Sequence, residues 1–360
     1  MPDVLDELAT PFLAVDVDVV ERNLRRVADQ ARVAGVALRP HAKTHKTIEI
    51  ARRQLALGAR GLSVATLSEA EVFAAAGVED LFVAYPLWVS RPRAARLRAL
   101  ADAVSLRVGV DSEDGVHGLA EAVQGGPVRV LVELDSGMGR TGVAPREAGR
   151  VAAAAATAGL EVAGVFTFPG HAYRPGGPVE VAAEEAAALS TGAASLENVG
   201  IACGERSGGA TPTVAVAGAG ATGASEVRPG VYVFNDAQQL ELGTCSWDDV
   251  ALSAVASVVS RGPGRFVIDA GSKTLGADRP AWTSGYGRLP AWPAARIELL
   301  SEHHAVVTLD DATTPPRVGE QVRVVPNHVC SAVNLADELV ATQGNEIVDR
   351  WPVAARGANT

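Results

Sequence analysis

Eight residues, Arg39 to Lys46 (RPHAKTHK), hold two lysines, two histidines and an arginine. Lys43 stands there among Arg39, His41, His45 and Lys46, neighbours that disfavour its charged form. Like charges and partial burial lower a lysine pKa from its reference of about 10.4, and Schiff-base chemistry requires a neutral amine. A solvated basic turn that binds phosphate, or binds nothing, is the plainer reading of the same residues. A second segment, Ser207 to Thr213 (SGGATPT), sets Gly208 and Gly209 side by side between Ser207 and Thr211. Adjacent glycines let backbone N–H groups approach an anion and the hydroxyls add donors, although an ordinary turn has the same composition. Tyr232 and Asn235, in VRPGVYVFND, offer further phosphate contacts. A Schiff-base lysine facing a phosphate loop suggests pyridoxal 5′-phosphate.

A third signal is PNHVC, Pro326 to Cys330. On a strand, residues i and i+2 project from one face, so His328 and Cys330 could grip one divalent ion, with zinc favoured by an imidazole–thiolate pair. A buried cysteine beside a surface histidine remains the alternative. Arg140, in LVELDSGMGRTGV, could hydrogen-bond a cofactor oxygen or make a structural ion pair. His171 and Tyr173, in FPGHAY, follow a strand whose end should open on the same site. Cys203 and Cys245 read as packed thiols and His117 as an exposed histidine.

The elements that must position these groups repeat. Short β-branched runs fall at 37–41, 61–65, 80–84, 105–110, 128–134, 162–168, 198–204 and 226–234, with helical stretches such as 47–57, 68–76, 91–101 and 146–158 between them. Runs apolar nearly throughout suit parallel strands covered on both faces, and eight strand–helix units are the arithmetic of a (β/α)8 TIM-type barrel. A doubly wound open sheet is the rival. In a barrel the lysine segment, the glycine loop and FPGHAY all lie at C-terminal strand ends, where active sites form. After about Asp236 the pattern changes to strands between Gly/Pro punctuation, which predicts a mostly antiparallel β domain. The expected fold class is therefore α/β: a barrel domain over 10–240 and a β domain over 241–360, joined by an N-terminal strand at 10–17.

Of 360 residues 48% are apolar, enough to offset the entropy of ordering a large core. The 32 basic and 42 acidic residues give a net charge of −10 with no basic tract, so nucleic acid and membrane are not expected partners. Three widely spaced cysteines make no disulfide framework, and the acidic start MPDVLDELATPFLAVD lacks a secretory pattern, so a cytoplasmic location is expected.

Taken in order, RPHAKTHK, LDSGMGRTG, FPGHAY, SGGATPT, EVRPGVYVFND, IDAGSK and PNHVCSAVNLADE resemble the D-threonine aldolase and D-serine dehydratase family. These are fold-type III pyridoxal-phosphate enzymes related to alanine racemase, and the resemblance runs from Thr10 to about Glu338. It implies that Lys43 carries the cofactor in Schiff-base linkage and that the Ser207–Thr213 loop and Tyr232 hold its phosphate. It also places Arg140 and Tyr173 beside the cofactor ring and makes His328 and Cys330 ligands of a divalent metal, Zn²⁺ or Mn²⁺. LSEHHAVV departs from the family's Glu-Glu-His-Gly: His303 replaces a glutamate and Ala305 a glycine, which removes the basis for a role of His304.

The implied activity is a lyase acting on D-3-hydroxy amino acids, usually as a homodimer. The metal acidifies or activates the substrate's β-hydroxyl. Loss of the hydroxyl proton then gives glycine and an aldehyde, whereas loss of the Cα proton to Lys43 gives a 2-oxo acid and ammonia. The His-x-Cys pair is typical of the dehydratase branch, and aldolases more often show His-x-Asp. An amino-acid racemase would share the barrel and Lys43 without needing a metal, and a non-enzymatic cofactor carrier would lack the residues after Asp236.

Overall fold

The computed structural model describes residues 8–220, 222–310, 312–344 and 346–360. They divide into two compact units: one gathers Arg26–Lys43, Ile50–Gly230 and Ala358–Thr360, the other the described residues up to Arg25, Thr44–Glu49 and Val231–Gly357. No helix among the described residues is long and apolar enough to cross a membrane.

The first unit is built on eight parallel strands: β2 (Ala37–Leu38), β3 (Leu62–Val64), β4 (Asp80–Pro86), β5 (Ser105–Val110), β6 (Val128–Glu133), β7 (Glu161–Phe166), β8 (Glu205–Gly208) and β9 (Glu226–Val227). Their order around the sheet is β2-β9-β8-β7-β6-β5-β4-β3, and an isolated parallel bridge between His41 and Ser63 joins the two ends. Helices α2 (Ile48–Ala56), α3 (Leu67–Ala75), α4 (Arg91–Ala103), α5 (Glu113–Val123), α6 (Ala148–Thr157), α7 (Gly177–Glu197) and α8 (Thr211–Ala217) follow β2 to β8 in turn, and α1 (Val17–Ala34) precedes them. This is the α/β barrel that the repeating pattern predicts. Helix residues such as Leu97, Val116 and Val151 are buried, while inside the sheet Phe82 meets Phe166 edge to face at 5.0 Å. Such a pair contributes about 0.5–1.5 kcal/mol beyond its area.

Two expectations change. The apolar run 198–204 is not a strand; the seventh barrel strand is the polar ERSG that follows it, so Ser207 and Gly208 lie in the strand rather than after it. The eighth run holds a strand only at Glu226–Val227, followed by a short 3-10 turn at Val231–Val233. The cause lies in the barrel interior, which is partly ionic. Arg39 and Arg107, both fully buried, pair with Asp80 and Glu226 at 2.8–3.5 Å.

The second unit is a mostly antiparallel sheet. Strand β1 (Phe12–Asp16) lies antiparallel to β10 (Leu252–Gly262) and parallel to β16 (Glu338–Gln343). The path β13 (Arg296–Leu300), β14 (Ala305–Thr308), β11 (Arg265–Ile268) reaches β10 on one side, and β17 (Glu346–Pro352) closes the other. Strand β12 (Gly287–Arg288) pairs with β15 (Gln321–Pro326), which itself pairs with β10. Two further helices matter for chemistry: α9 (Ala237–Glu241), whose N-cap is Asp236, and α11 (Val329–Leu335), whose N-cap is His328.

Candidate functional site

In the barrel unit a cavity of about 310 Å³ is lined by His41, Lys43, Ala65, Ala84, Tyr85, Arg140, Thr141, Phe168 and Arg228. Lys43 sits in a 3-10 turn directly after β2, its Nζ 5.1 Å from the centroid of Phe168 and its N–H 3.4 Å from His41 Nδ1. The Arg140 guanidinium lies over the same ring at 5.1 Å and stands 3.9 Å from Glu133. Of the cations that the spacing sets around Lys43, Arg39 is neutralised by Asp80 and Glu226, and His45 Nδ1 accepts the Thr47 N–H. Lys46 donates to Asn334.

Arg228 was not singled out by sequence reasoning; it lies within the run 226–234, just past β9. It is buried, donates to Ser207 Oγ and the Thr167 carbonyl at 2.6 and 2.7 Å, and stacks near Phe82 and Phe166. Burial pushes its pKa down to about 10 against the pull of Glu226, Glu185 and Glu133. Glu226 goes the other way: burial opposes its charge, but Arg39, Ser207 and Arg107 outweigh that and lower its pKa. Glu133, under Arg140 and Thr141, is raised by burial to about 7.

The glycine loop is buried throughout. Ser207 donates to Glu226 Oε1 at 2.6 Å, Gly209 has φ +79° and its N–H is taken by Glu185, and Thr211 is 5% exposed. Gly208 has no room for a side chain, since a Cβ would strike Glu185 Oε1. His171 is held on α7 by Glu184 at 2.8 Å, and Tyr173 caps the same short turn half-buried. Cys203 and His117 are as expected, the one half-buried and the other exposed, and His303 and His304 stand exposed in the turn between β13 and β14.

In the second unit Tyr232 and Asn235 are buried, the amide of Asn235 donating to the Asp249 carbonyl at 2.9 Å. His328 and Cys330 share no strand: β15 ends at Pro326, His328 keeps extended backbone as N-cap and Cys330 lies in the first turn of α11. Asp236 Oδ2 is 3.3 Å from His328 Nδ1 and accepts the Val329 N–H. Cys330 Sγ is 3.2 Å from Thr44 Oγ1. Burial works against the imidazolium of His328, yet Cys330 and Asp236 together hold its pKa well above the ordinary 6.5. The environment draws positive charge. Among the described residues no group of three or more His, Cys, Asp or Glu side chains is arranged to hold a metal ion, so a cation on this pair would take its other ligands from water or substrate.

The profile of the alanine racemase N-terminal domain matches residues 15–238 and that of a putative serine dehydratase domain residues 251–342. D-threonine aldolase of Arthrobacter sp. is 34% identical over 99% of this chain and 94% of its own. D-threo-3-hydroxyaspartate dehydratase of Delftia sp. (strain HT23) is 33% identical over 92% and 93%, and solved structures of a D-threo-3-hydroxyaspartate dehydratase include a metal-free form. The crystal structure of D-threonine aldolase from Filomicrobium marinum superposes with a TM-score of 0.90 at 34% identity, covering 99% of this chain and 98% of that one. With a lysine-bearing barrel cavity, both domains in order and relatives along its whole length, this chain belongs to the D-threonine aldolase and D-serine dehydratase family of fold-type III pyridoxal-phosphate lyases.

Proposed function

We propose that this chain is a pyridoxal-phosphate- and divalent-metal-dependent lyase of D-3-hydroxy amino acids that forms a 2-oxo acid and ammonia. The observation that carries the reading is the amine of Lys43 in the barrel cavity, its Nζ 5.1 Å from the centroid of the Phe168 ring that walls it. The cavity is of small-ligand size, with an aromatic wall and two arginines, and the His328–Cys330 donor set beside Asp236 suits Zn²⁺, or the harder Mn²⁺ with more of its ligands from oxygen.

Pyridoxal phosphate supplies, when bound, a conjugated ring that accepts the electron pair of a broken Cα bond, and the metal supplies a Lewis acid for the β-hydroxyl. Lys43 is the amine that holds the cofactor's aldehyde and, once released, the base for the Cα proton. Arg228 donates hydrogen bonds without surrendering its proton at neutral pH. Arg140, His171 and Tyr173 orient the ring. Ser207, Gly208, Gly209 and Thr211, with Tyr232 and Asn235, hold the phosphate, and His328 and Cys330 hold the metal. In this reading residues 10–240 form the cofactor domain and 241–360 the metal domain of a cytoplasmic homodimer whose partner is a small D-amino acid, with no nucleic acid or membrane.

A second reading, retro-aldol cleavage to glycine and an aldehyde, is favoured by the 34% identity to a D-threonine aldolase. Product analysis of D-threonine with purified protein, cofactor and Zn²⁺ or Mn²⁺ decides. 2-Oxobutanoate and ammonia support the dehydratase, acetaldehyde and glycine the aldolase, and L-allo-threonine alone, the product of inversion at Cα, would overturn both in favour of a racemase.

Asp236 gives a gentler test. It orients His328 and also caps α9, accepting the Gln239 N–H at 3.0 Å. Asn caps a helix as well as Asp, so Asp236→Asn should keep α9 while removing the charge behind the imidazole, at the cost of the acceptor for the Val329 N–H. Metal affinity is expected to fall about 10–100-fold, read by competition with a chromogenic chelator; unchanged affinity would separate Asp236 from the metal.

A further inference from the structure

The loop assigned to phosphate does not keep its central N–H free. Gly209 donates it to Oε1 of Glu185, which projects from the middle of α7 and is fully buried. The same oxygen lies where a Cβ on Gly208 would go. The other oxygen, Oε2, is buried without a hydrogen-bond partner. The charged group that acts on the carboxyl is Arg228, from the segment after β9, and the Thr213 hydroxyl on α8 also favours its ionised form. Arg228 already serves Ser207 and the Thr167 carbonyl. An ionised carboxylate here would set a like charge directly against an arriving phosphate dianion, at a depth where water does not screen it.

We propose that Glu185 is a proton-holding positioning residue of the phosphate loop: arrival of a phosphate group at Gly208–Gly209 is coupled to uptake of one proton from solvent by the Glu185 carboxyl. The neutral acid removes the repulsion and loosens the hold on the Gly209 N–H. Burial against the opposing pull of Gly209, Arg228 and Thr213 raises this carboxyl to about 7, so the proton is exchangeable near neutrality. The inference rests on the cofactor reading above, and its test separates the two.

Cofactor-free protein is titrated calorimetrically near pH 8 with pyridoxal phosphate and with pyridoxal, in two buffers of different ionisation enthalpy. The wild-type chain should take up up to one proton more with the phosphorylated compound. Its affinity for pyridoxal phosphate should weaken by up to about tenfold per pH unit above pH 7, and Glu185→Gln should flatten that slope while leaving the pyridoxal profile unchanged. Equal proton counts for the two compounds in the wild-type chain overturn the proposal, whether or not the variant folds. So do parallel pyridoxal phosphate profiles in wild type and variant, with visible Schiff-base absorbance in both, and in that case the cofactor reading stands. Absence of the absorbance in the wild-type chain overturns the cofactor reading and the proposal together.

Discussion

Lys43→Ala is expected to abolish the visible absorbance that forms on adding pyridoxal phosphate and to lower turnover of a D-3-hydroxy amino acid by about 10³-fold or more. The expectation is large because one amine has two duties, holding the cofactor and taking the Cα proton, and among the described residues no other lysine lines the cavity. Lys43→Arg should fare no better, since a guanidinium stays charged at any working pH and can neither attack an aldehyde nor act as a base. The fold should survive both changes. Lys43 lies in a three-residue 3-10 turn, and its Nζ meets the face of Phe168. Added methylamine should restore a fraction of turnover to Lys43→Ala if the missing group is a base. Near-wild-type turnover in either variant would remove Lys43 from the chemistry.

That lysine was legible in the sequence because its neighbours are chemically odd, and a strand end just before it is where barrels place chemistry. The polar interior was not legible. Arg39, Asp80, Arg107, Glu205, Glu226 and Arg228 are spread over nearly 190 positions, and only the closing of the sheet gathers them. An apolar-run criterion therefore preferred the loop 198–204 over the true strand 205–208, whose side chains serve that ionic interior. Arg228 was hidden for the same reason, as were Glu133 and Glu185, two carboxyls raised by burial to about 7. The His-x-Cys pair stood out by spacing and was read as metal ligands through the resemblance, but the geometry assumed for it was a strand's. The projection comes instead from a strand-to-helix junction, with His328 extended and Cys330 already helical.

Metal removal tests that junction. Cys330→Ser replaces a thiolate by a hydroxyl of similar shape, which retains a hydrogen-bonding atom for Thr44 but is a far weaker ligand for a soft divalent ion. Losing one of two protein ligands should exceed the 10–100-fold cost of losing a supporting residue, so metal affinity is expected to fall by about 10²-fold or more, and turnover at trace metal with it. His328→Ala should behave alike and leave Asp236 a buried carboxylate without its imidazole. Neither variant should change the visible absorbance that Lys43 forms with pyridoxal phosphate, because the amine and its cavity lie outside the donor pair. Excess metal should restore turnover more fully to Cys330→Ser than to His328→Ala, since an oxygen donor remains in the first. Treatment of the wild-type protein with a chelator should reproduce the loss and reverse on adding Zn²⁺ or Mn²⁺. Turnover that survives both substitutions and the chelator would mean that the reaction proceeds without a metal at His328 and Cys330, and the racemase alternative would then regain the ground.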